Sequence, residues 1–445
     1  MFPNPQDALP LPLKPNVERY RKLAKDLLRA SKCENTTAIR DWSEKWVTSL
    51  VKLSGLVITL RLPVEIEGWV NEVENYARRT LSPLATTGAA DGRYIPAHDS
   101  LPDNSTSNSV PGRSTNGTQP RVRPCRLTDA QFVIARSHGF ASWSKFVKHL
   151  NGLTDKSSPI ARFEAAADSI IAGKIKILQQ LLAKDPNLIH RRSTREHQAT
   201  LLHYVSANGV EGYRQKTPKN AVKIARLLLN AGAKVDAEAD VYGGGATTLG
   251  LVATSVHPYV AGVQNELIQL LLDHGAQLDR EHSGGNQQIA VRASLANGCF
   301  DAAVYLAEHG ARLDLESAAG LGRLEVVKTY FDDQGKLKPR TTEEQFKSAF
   351  FQACCWGRNN VVQFLLEKGV DIKAHDADGQ TGLHWAAIGG QLETIKLLLK
   401  YDPPLEARNV YGGTVLGQAA WSASHGGEPE KYAAIIETLT RAGAK

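Results

Sequence analysis

The sequence lacks most of the features that mark a secreted, membrane-bound or metal-dependent protein. Its start, Met1-Phe-Pro-Asn-Pro-Gln-Asp7, has no basic stretch leading into an apolar core, so no secretory leader is expected. No apolar run approaches the roughly 20 residues that span a bilayer. The best candidate, Leu50 to Leu62, is broken by Lys52 and Arg61, so no membrane partner is expected. Cysteine is sparse: Cys33, Cys125, Cys299, Cys354 and Cys355 form neither a spaced framework nor a CxxC pair. That scatter excludes a disulfide-stapled scaffold and fits a reducing cytoplasm. The histidines are scattered too, and none stands with Cys or a carboxylate at ligand spacing, so no metal is expected. HExxH, GxSxG and GxxxxGK[ST] are all missing. Their absence removes the usual sequence grounds for a zinc protease, an α/β-hydrolase or a phosphate-loop enzyme, and nothing asks for a cofactor.

What the chain does have is length and ordinary globular composition. Its 445 residues exceed what one compact core holds, so two domains or one elongated array are the alternatives. Hydrophobic residues make up 42% and charged ones 22%, enough to bury a core in either case. The net charge of +7 is unevenly placed. Residues 1–150 hold 21 Lys and Arg against 14 Asp and Glu, while the remainder holds 32 of each. A balanced C-terminal region argues against nucleic acid as its partner.

Internal repetition decides the architecture. The segment Asp376-Ala-Asp-Gly-Gln-Thr-Gly-Leu-His-Trp-Ala-Ala387 leads into a second apolar helix, Leu392 to Lys400. Asn409-Val-Tyr-Gly-Gly-Thr-Val-Leu-Gly-Gln-Ala-Ala420 restarts the pattern 33 residues later. Second helices closing on Gly recur at Ile224–Gly232, Leu267–Gly275, Ala302–Gly310 and Val361–Gly369, where a left-handed cap is needed. First helices recur around Thr200–Tyr204, Thr247–Gly250, Ala293–Asn297, Ser317–Leu321 and Lys347–Cys355. Each pair has an apolar stripe it cannot bury alone, and stacked neighbours supply the missing core.

The D-x-x-G-x-T-x-L-H-x-A-A pattern resembles the ankyrin repeat, and the chain as a whole resembles bacterial ankyrin-repeat proteins. The implied fold is mainly α: a solenoid of about eight helix pairs with β-turn fingers, preceded by a small helical N-terminal domain. The expected divisions are a helical segment over 1–84, a disordered insert over 85–122, a helical hairpin over 123–155 and ankyrin repeats over 156–445. The insert is rich in Gly, Ser, Thr, Asn, Asp and Pro without apolar periodicity. In the hairpin, Thr128 and Gln131 read as a capping box, and Arg136, Lys145, Lys148 and His149 superficially suggest a DNA-reading helix pair. A packed helical cap is the favoured reading of that hairpin. His138, at a helix end beside Gly139, stands where a partial positive charge is favourable, and capping is its favoured role.

The resemblance implies partner contacts from finger tips and the exposed side of each first helix. Carried over by motif, these positions are Tyr204, Trp356, Trp385 and Trp421 on helices and Tyr242 and Tyr411 at fingers. The expected function is a scaffold that binds a protein or peptide on the concave face, with aromatic anchors. His203 and His384 fall on the motif's His, where the ring usually bonds backbone between repeats. Two insertions depart from the pattern, Val210–Asn220 and Thr254–Gln264. They support an alternative, an enzyme or small-molecule binder in which His197, Glu211, Arg214 and His257 meet. No spacing rule backs that alternative.

Overall fold

Residues 4–55, 62–82, 124–279, 290–425 and 428–445 are described by a computed structural model. The insert expected over 85–122 lies outside the described residues. The chain divides into two units, Met1–Ala161 with Thr194–Glu196, and Arg162–Ser193 with His197–Lys445. Among the described residues no helix is long and apolar enough to cross a membrane.

The first unit contains α1 (Val17–Ser31), α2 (Ala38–Ser54), α3 (Leu62–Leu81), α4 (Leu127–Ser137) and α5 (Trp143–Thr154). Asn16 starts α1 by accepting the Glu18 and Arg19 amides at 2.8 and 3.2 Å, two donors the helix itself cannot satisfy. Tyr20, Ala24 and Leu27 then point into one face at helical spacing. The core is aromatic, with Trp42, Trp46, Phe140 and Phe146 buried together. His138 lies among them, stacked on Phe146 with ring centroids 5.1 Å apart. Its Nδ1 meets the Leu9 carbonyl at 3.0 Å. Burial pushes this imidazole down to about 3, so the ring at this helix end is a neutral part of the core and carries no positive charge.

Two further expectations change here. The first turn of α4 is closed by Asp129, which accepts the Arg126 amide at 2.8 Å, in place of a Thr128–Gln131 box. Of the four groups proposed for a DNA-reading pair, Arg136 is buried and ion-paired with Glu196. His149 is buried as well, with Nδ1 2.7 Å from Thr194 Oγ1. Lys145 and Lys148 alone of that set are exposed, which is the pattern of a packed hairpin.

The second unit is a succession of helix pairs. α6 (Pro159–Ile171) precedes α7 (Ile175–Lys184), and a 3-10 helix at Leu201–Ser206 precedes α8 (Ala221–Asn230). α9 (Thr248–Ala253) is followed by a short α10 (Val256–Val260) inside the lengthened connection, then α11 (Gln264–Asp273). The later pairs are α12 (Ala290–Ala296) with α13 (Phe300–Glu308), α14 (Leu315–Leu321) with α15 (Leu324–Lys328), and α16 (Glu343–Cys355) with α17 (Asn359–Glu367). α18 (Gly382–Ile388) with α19 (Leu392–Leu398) and α20 (Val415–Ser424) with α21 (Pro429–Arg441) complete the series. Short antiparallel contacts form the fingers. β1 (Glu238–Ala239) pairs with β2 (Ala246–Thr247) in the register Glu238↔Thr247, and isolated bridges join Arg192 to Thr200, Phe331 to Leu337 and His375 to Thr381. At the tip of one finger, Gly379 takes φ +74°, with Asp376 accepting the Asp378 and Gln380 amides.

Two Thr–His brackets tie successive pairs together. Thr200 N–H donates to His203 Nδ1 at 3.1 Å, and His203 Nε2–H reaches the Ala246 carbonyl of the next finger at 3.3 Å. Thr381 and His384 repeat the arrangement, with Nε2 3.4 Å from the Gly413 carbonyl. Burial lowers both imidazoles, His203 to about 4, so each ring is neutral and can accept and donate at once. The structural role read for these two histidines is thus present in the geometry. Buried side chains form two clusters in this unit, one from Phe163 to Ala311 and one from Leu315 to Ala444, and Leu313 packs against both.

Candidate functional site

The aromatic side chains proposed as anchors do not share one environment. Tyr204 is wholly buried, its ring beside Phe163 at 6.1 Å and below the Arg214 guanidinium at 5.8 Å. It belongs to the core, and its place in the contact strip is withdrawn. Trp356, at the end of α16, is half-buried and packs its ring on Phe300 at 5.0 Å. Trp385 is also half-buried, and its Nε1–H donates to Asp376 at 2.9 Å, which fixes the indole against its own finger. Tyr242 is 46% exposed, with its hydroxyl on Asn208 at 2.7 Å.

Two groups are open to solvent. Tyr411 is 82% exposed at a finger tip whose turn is held by Asn409 Oδ1, which accepts the Tyr411 and Gly413 amides at 3.1 and 2.9 Å. Trp421 is 58% exposed on α20 and lies flat on His425, centroids 4.2 Å apart and 12° from parallel. Stacking on His425 holds this indole in place without burying it. An ordered exposed aromatic loses little entropy on binding.

The residues of the alternative reading partly converge. Arg214, within the first insertion, is buried, with Glu164 and Asp168 each at 2.8 Å and Glu211 at 3.5 Å. His197 Nε2 lies 3.5 Å from the same Glu211 oxygen, and its Nδ1 accepts the Ala199 amide at 3.0 Å. Burial works against the charge on Arg214, but Glu164, Glu211 and Asp168 outweigh it and hold the group well above its ordinary range. His257 does not join them: it is exposed on α10, and burial of its inner part lowers its pKa. Glu164 and Asp168, one turn apart on α6, escaped sequence reasoning. The one available signal was a Glu inside the apolar stripe Phe163–Ile170.

This cluster is closed rather than open. Glu164, His197, Glu211 and Arg214 are all buried, and Asp168 is its exposed member. The arrangement anchors the insertion: Arg214 N–H bonds the Glu211 carbonyl at 2.7 Å and Gln215 bonds the Val210 carbonyl at 2.9 Å. Among the described residues no three His, Cys, Asp or Glu side chains are grouped to hold a metal.

Comparison with known proteins addresses the C-terminal part. Residues 315–409 and 350–440 match the family model described as ankyrin repeats. Ankyrin repeat and SAM domain-containing protein 6 of Danio rerio is 29% identical over 146 residues, 31% of this chain and 20% of its own length. Ankyrin repeat protein nuc-2 of Neurospora crassa is 34% identical over 83 residues, 18% of this chain and 8% of its own. Synphilin-1 of Mus musculus is 25% identical over 121 residues, 26% of this chain and 12% of its own. The chain therefore spans a fifth or less of these curated relatives, which are vertebrate and fungal and lend no support to a bacterial likeness. The matched segment coincides with the most regular finger-and-helix pairs, and the C-terminal part of this chain, over residues 315–440, is built of ankyrin repeats.

Proposed function

We propose that the chain is a cytoplasmic interaction scaffold whose ankyrin stack, read as eight helix pairs from α6 to α21, binds a protein or peptide. Ankyrin repeats are in general protein-interaction modules, and the matched repeats end on Tyr411 and Trp421, the two most exposed of the anchor candidates. That pair of ordered, solvent-facing aromatics carries the proposal. Five cysteines scattered along the sequence without a framework spacing support the reducing compartment. The other candidates now supply packing: Trp356 and Trp385 shape the surface, and Tyr204 lies beneath it. A catalytic use of His197, Glu211 and Arg214 finds no support in a cluster filled by the chain's own side chains.

The test is affinity purification from source-cell lysate with wild type and a Tyr411→Ala/Trp421→Ala variant, both checked by circular dichroism. Loss of about 2 kcal/mol at each anchor, roughly thirty-fold in affinity, should remove a partner from the eluate. Retention of the same partners by the folded variant refutes the aromatic anchor.

A further inference from the structure

A groove of about 600 Å³ opens in the first unit between α1 and α2. Helical spacing builds both walls: Arg19, Lys22 and Leu23 share one stripe of α1, and Trp42, Lys45, Trp46 and Leu53 share one stripe of α2. The floor is aromatic and set in place. Trp42 and Trp46 are buried, with ring centroids 5.0 Å apart. Trp42 Nε1–H donates to the Leu23 carbonyl at 3.3 Å, which ties this ring to the opposite wall. At one end Leu53 is 38% exposed. Its carbonyl accepts the Leu13 amide at 2.9 Å, so the segment that brings Pro12 to the lining is pinned there.

The rim is cationic. Arg19, Lys22 and Lys45 line the groove, are exposed, and have no carboxylate partner among the described residues. Arg19 donates instead to Ser49 Oγ at 2.7 Å, which holds its guanidinium against α2. Two carboxylates share the lining. Asp26 is engaged by Arg29 at 2.9 Å, and Asp41 accepts the Thr37 hydroxyl at 3.0 Å. The remaining carboxylates of these two helices, Glu18 and Glu44, are taken by Arg21 and Arg40. With Asp26 cancelled by Arg29, three cations stand against Asp41 alone. Residues 1–150 also carry the whole net charge of the chain, +7. A quaternary ammonium ion, which two indoles would otherwise suit, is repelled by such a rim. A nucleic acid finds too few cations, because its affinity grows with the number of phosphates neutralised. An anion with an apolar body satisfies both parts at once. Its apolar surface leaves water against Trp42, Trp46 and Leu53, while its head meets Arg19, Lys22 and Lys45. The volume is that of a small-molecule site.

We propose that this groove binds a small organic carboxylate with an apolar chain or ring, of the size of a medium-chain fatty acid. The inference concerns the first unit and is independent of the reading of the ankyrin stack. It is tested by isothermal titration calorimetry of the full chain with decanoate, below its micelle concentration. Decyltrimethylammonium and decanol, which share its chain length, are the counter-probes. Wild type should bind decanoate about tenfold or more tightly than either counter-probe, and less tightly as salt is added. K22E/K45E, at two exposed sites, should bind decanoate about tenfold or more weakly. Arg19→Gln is a milder variant and should weaken binding about threefold. Leu53→Trp lays a larger ring over the groove and should also weaken it, with the far-UV circular dichroism of wild type. Equal binding of decanoate and decanol overturns the proposal, as does equal binding of decanoate by wild type and K22E/K45E. A preference for the ammonium ion overturns it as well. A dimer in analytical ultracentrifugation that Leu53→Trp dissociates would assign the groove to a second copy of the chain, and that too would overturn it.

Discussion

Acidification probes the neutral state of His203 directly. Its ring is held at about 4 against an ordinary 6.5, because burial disfavours the imidazolium more than the Ala246 carbonyl favours it. As pH falls through 6.5, the unfolded chain takes up a proton that the folded chain refuses. Stability is lost from there down to about 4, and below that both states are charged and the loss stops growing. Linkage puts this residue's share at about 2 kcal/mol at pH 5, roughly thirty-fold in the unfolding constant. His384 is shifted the same way, so wild type loses more than this in total. His203→Gln isolates the share, since Gln can accept and donate but does not titrate. Urea unfolding of both proteins at pH 7.5 and pH 5, followed by far-UV circular dichroism, gives the comparison. The variant should start about 1 kcal/mol less stable, from the imperfect bracket, and fall less steeply with acid. Identical pH dependence in the two proteins refutes a neutral, buried His203.

Other substitutions test packing and the buried ion cluster. A Cβ at Gly389 would stand 1.9 Å from the Cys355 carbonyl oxygen, a backbone atom that cannot step aside. Gly389→Ala should therefore cost about 3 kcal/mol or more in urea unfolding. Gly68, within α3, meets nothing within 4 Å, and Gly68→Ala should stabilise by about 0.5–1 kcal/mol. Reversed signs at these two glycines would contradict the packing described. Arg214→Met strands Glu164 and Glu211 in the interior without their shared cation, and should cost about 3–5 kcal/mol. The deficit should shrink as acid protonates those carboxylates; a variant as stable as wild type would show that Arg214 is no anchor.

How far sequence reasoning reached depended on whether the partners were neighbours in the chain. Thr381 and His384 lie within one turn, so their bracket was legible from the motif alone, and the same holds for Thr200 and His203. Tyr204 occupies a helix position that faces outward in a regular repeat. Here the inserted segment folds Arg214 over its ring and closes the position, an effect no local pattern records. The Arg214 cluster was half visible, because Glu211 is three residues away whereas Glu164 and Asp168 come from a different helix pair. A cleft in the second unit, lined by Arg292, Arg312, Lys338 and Arg340, shows the same limit. Lys338 and Arg340 are a conspicuous pair in sequence, but Arg292 and Arg312 reach them only through stacking. The first unit was legible as helices and opaque in its interior, since the burial of His138 and His149 depends on which faces meet.

The division of the second unit into two buried clusters has a mechanical consequence. A solenoid transmits tension from pair to pair through its interior, and here half-buried side chains, Leu313, Leu321 and Trp356, carry that continuity across the boundary between the clusters. Stretched along its length, such a stack should yield first at that boundary while the Thr–His brackets on either side hold. A partner laid across that boundary would act as a splint, and its release would leave the stack free to bend there.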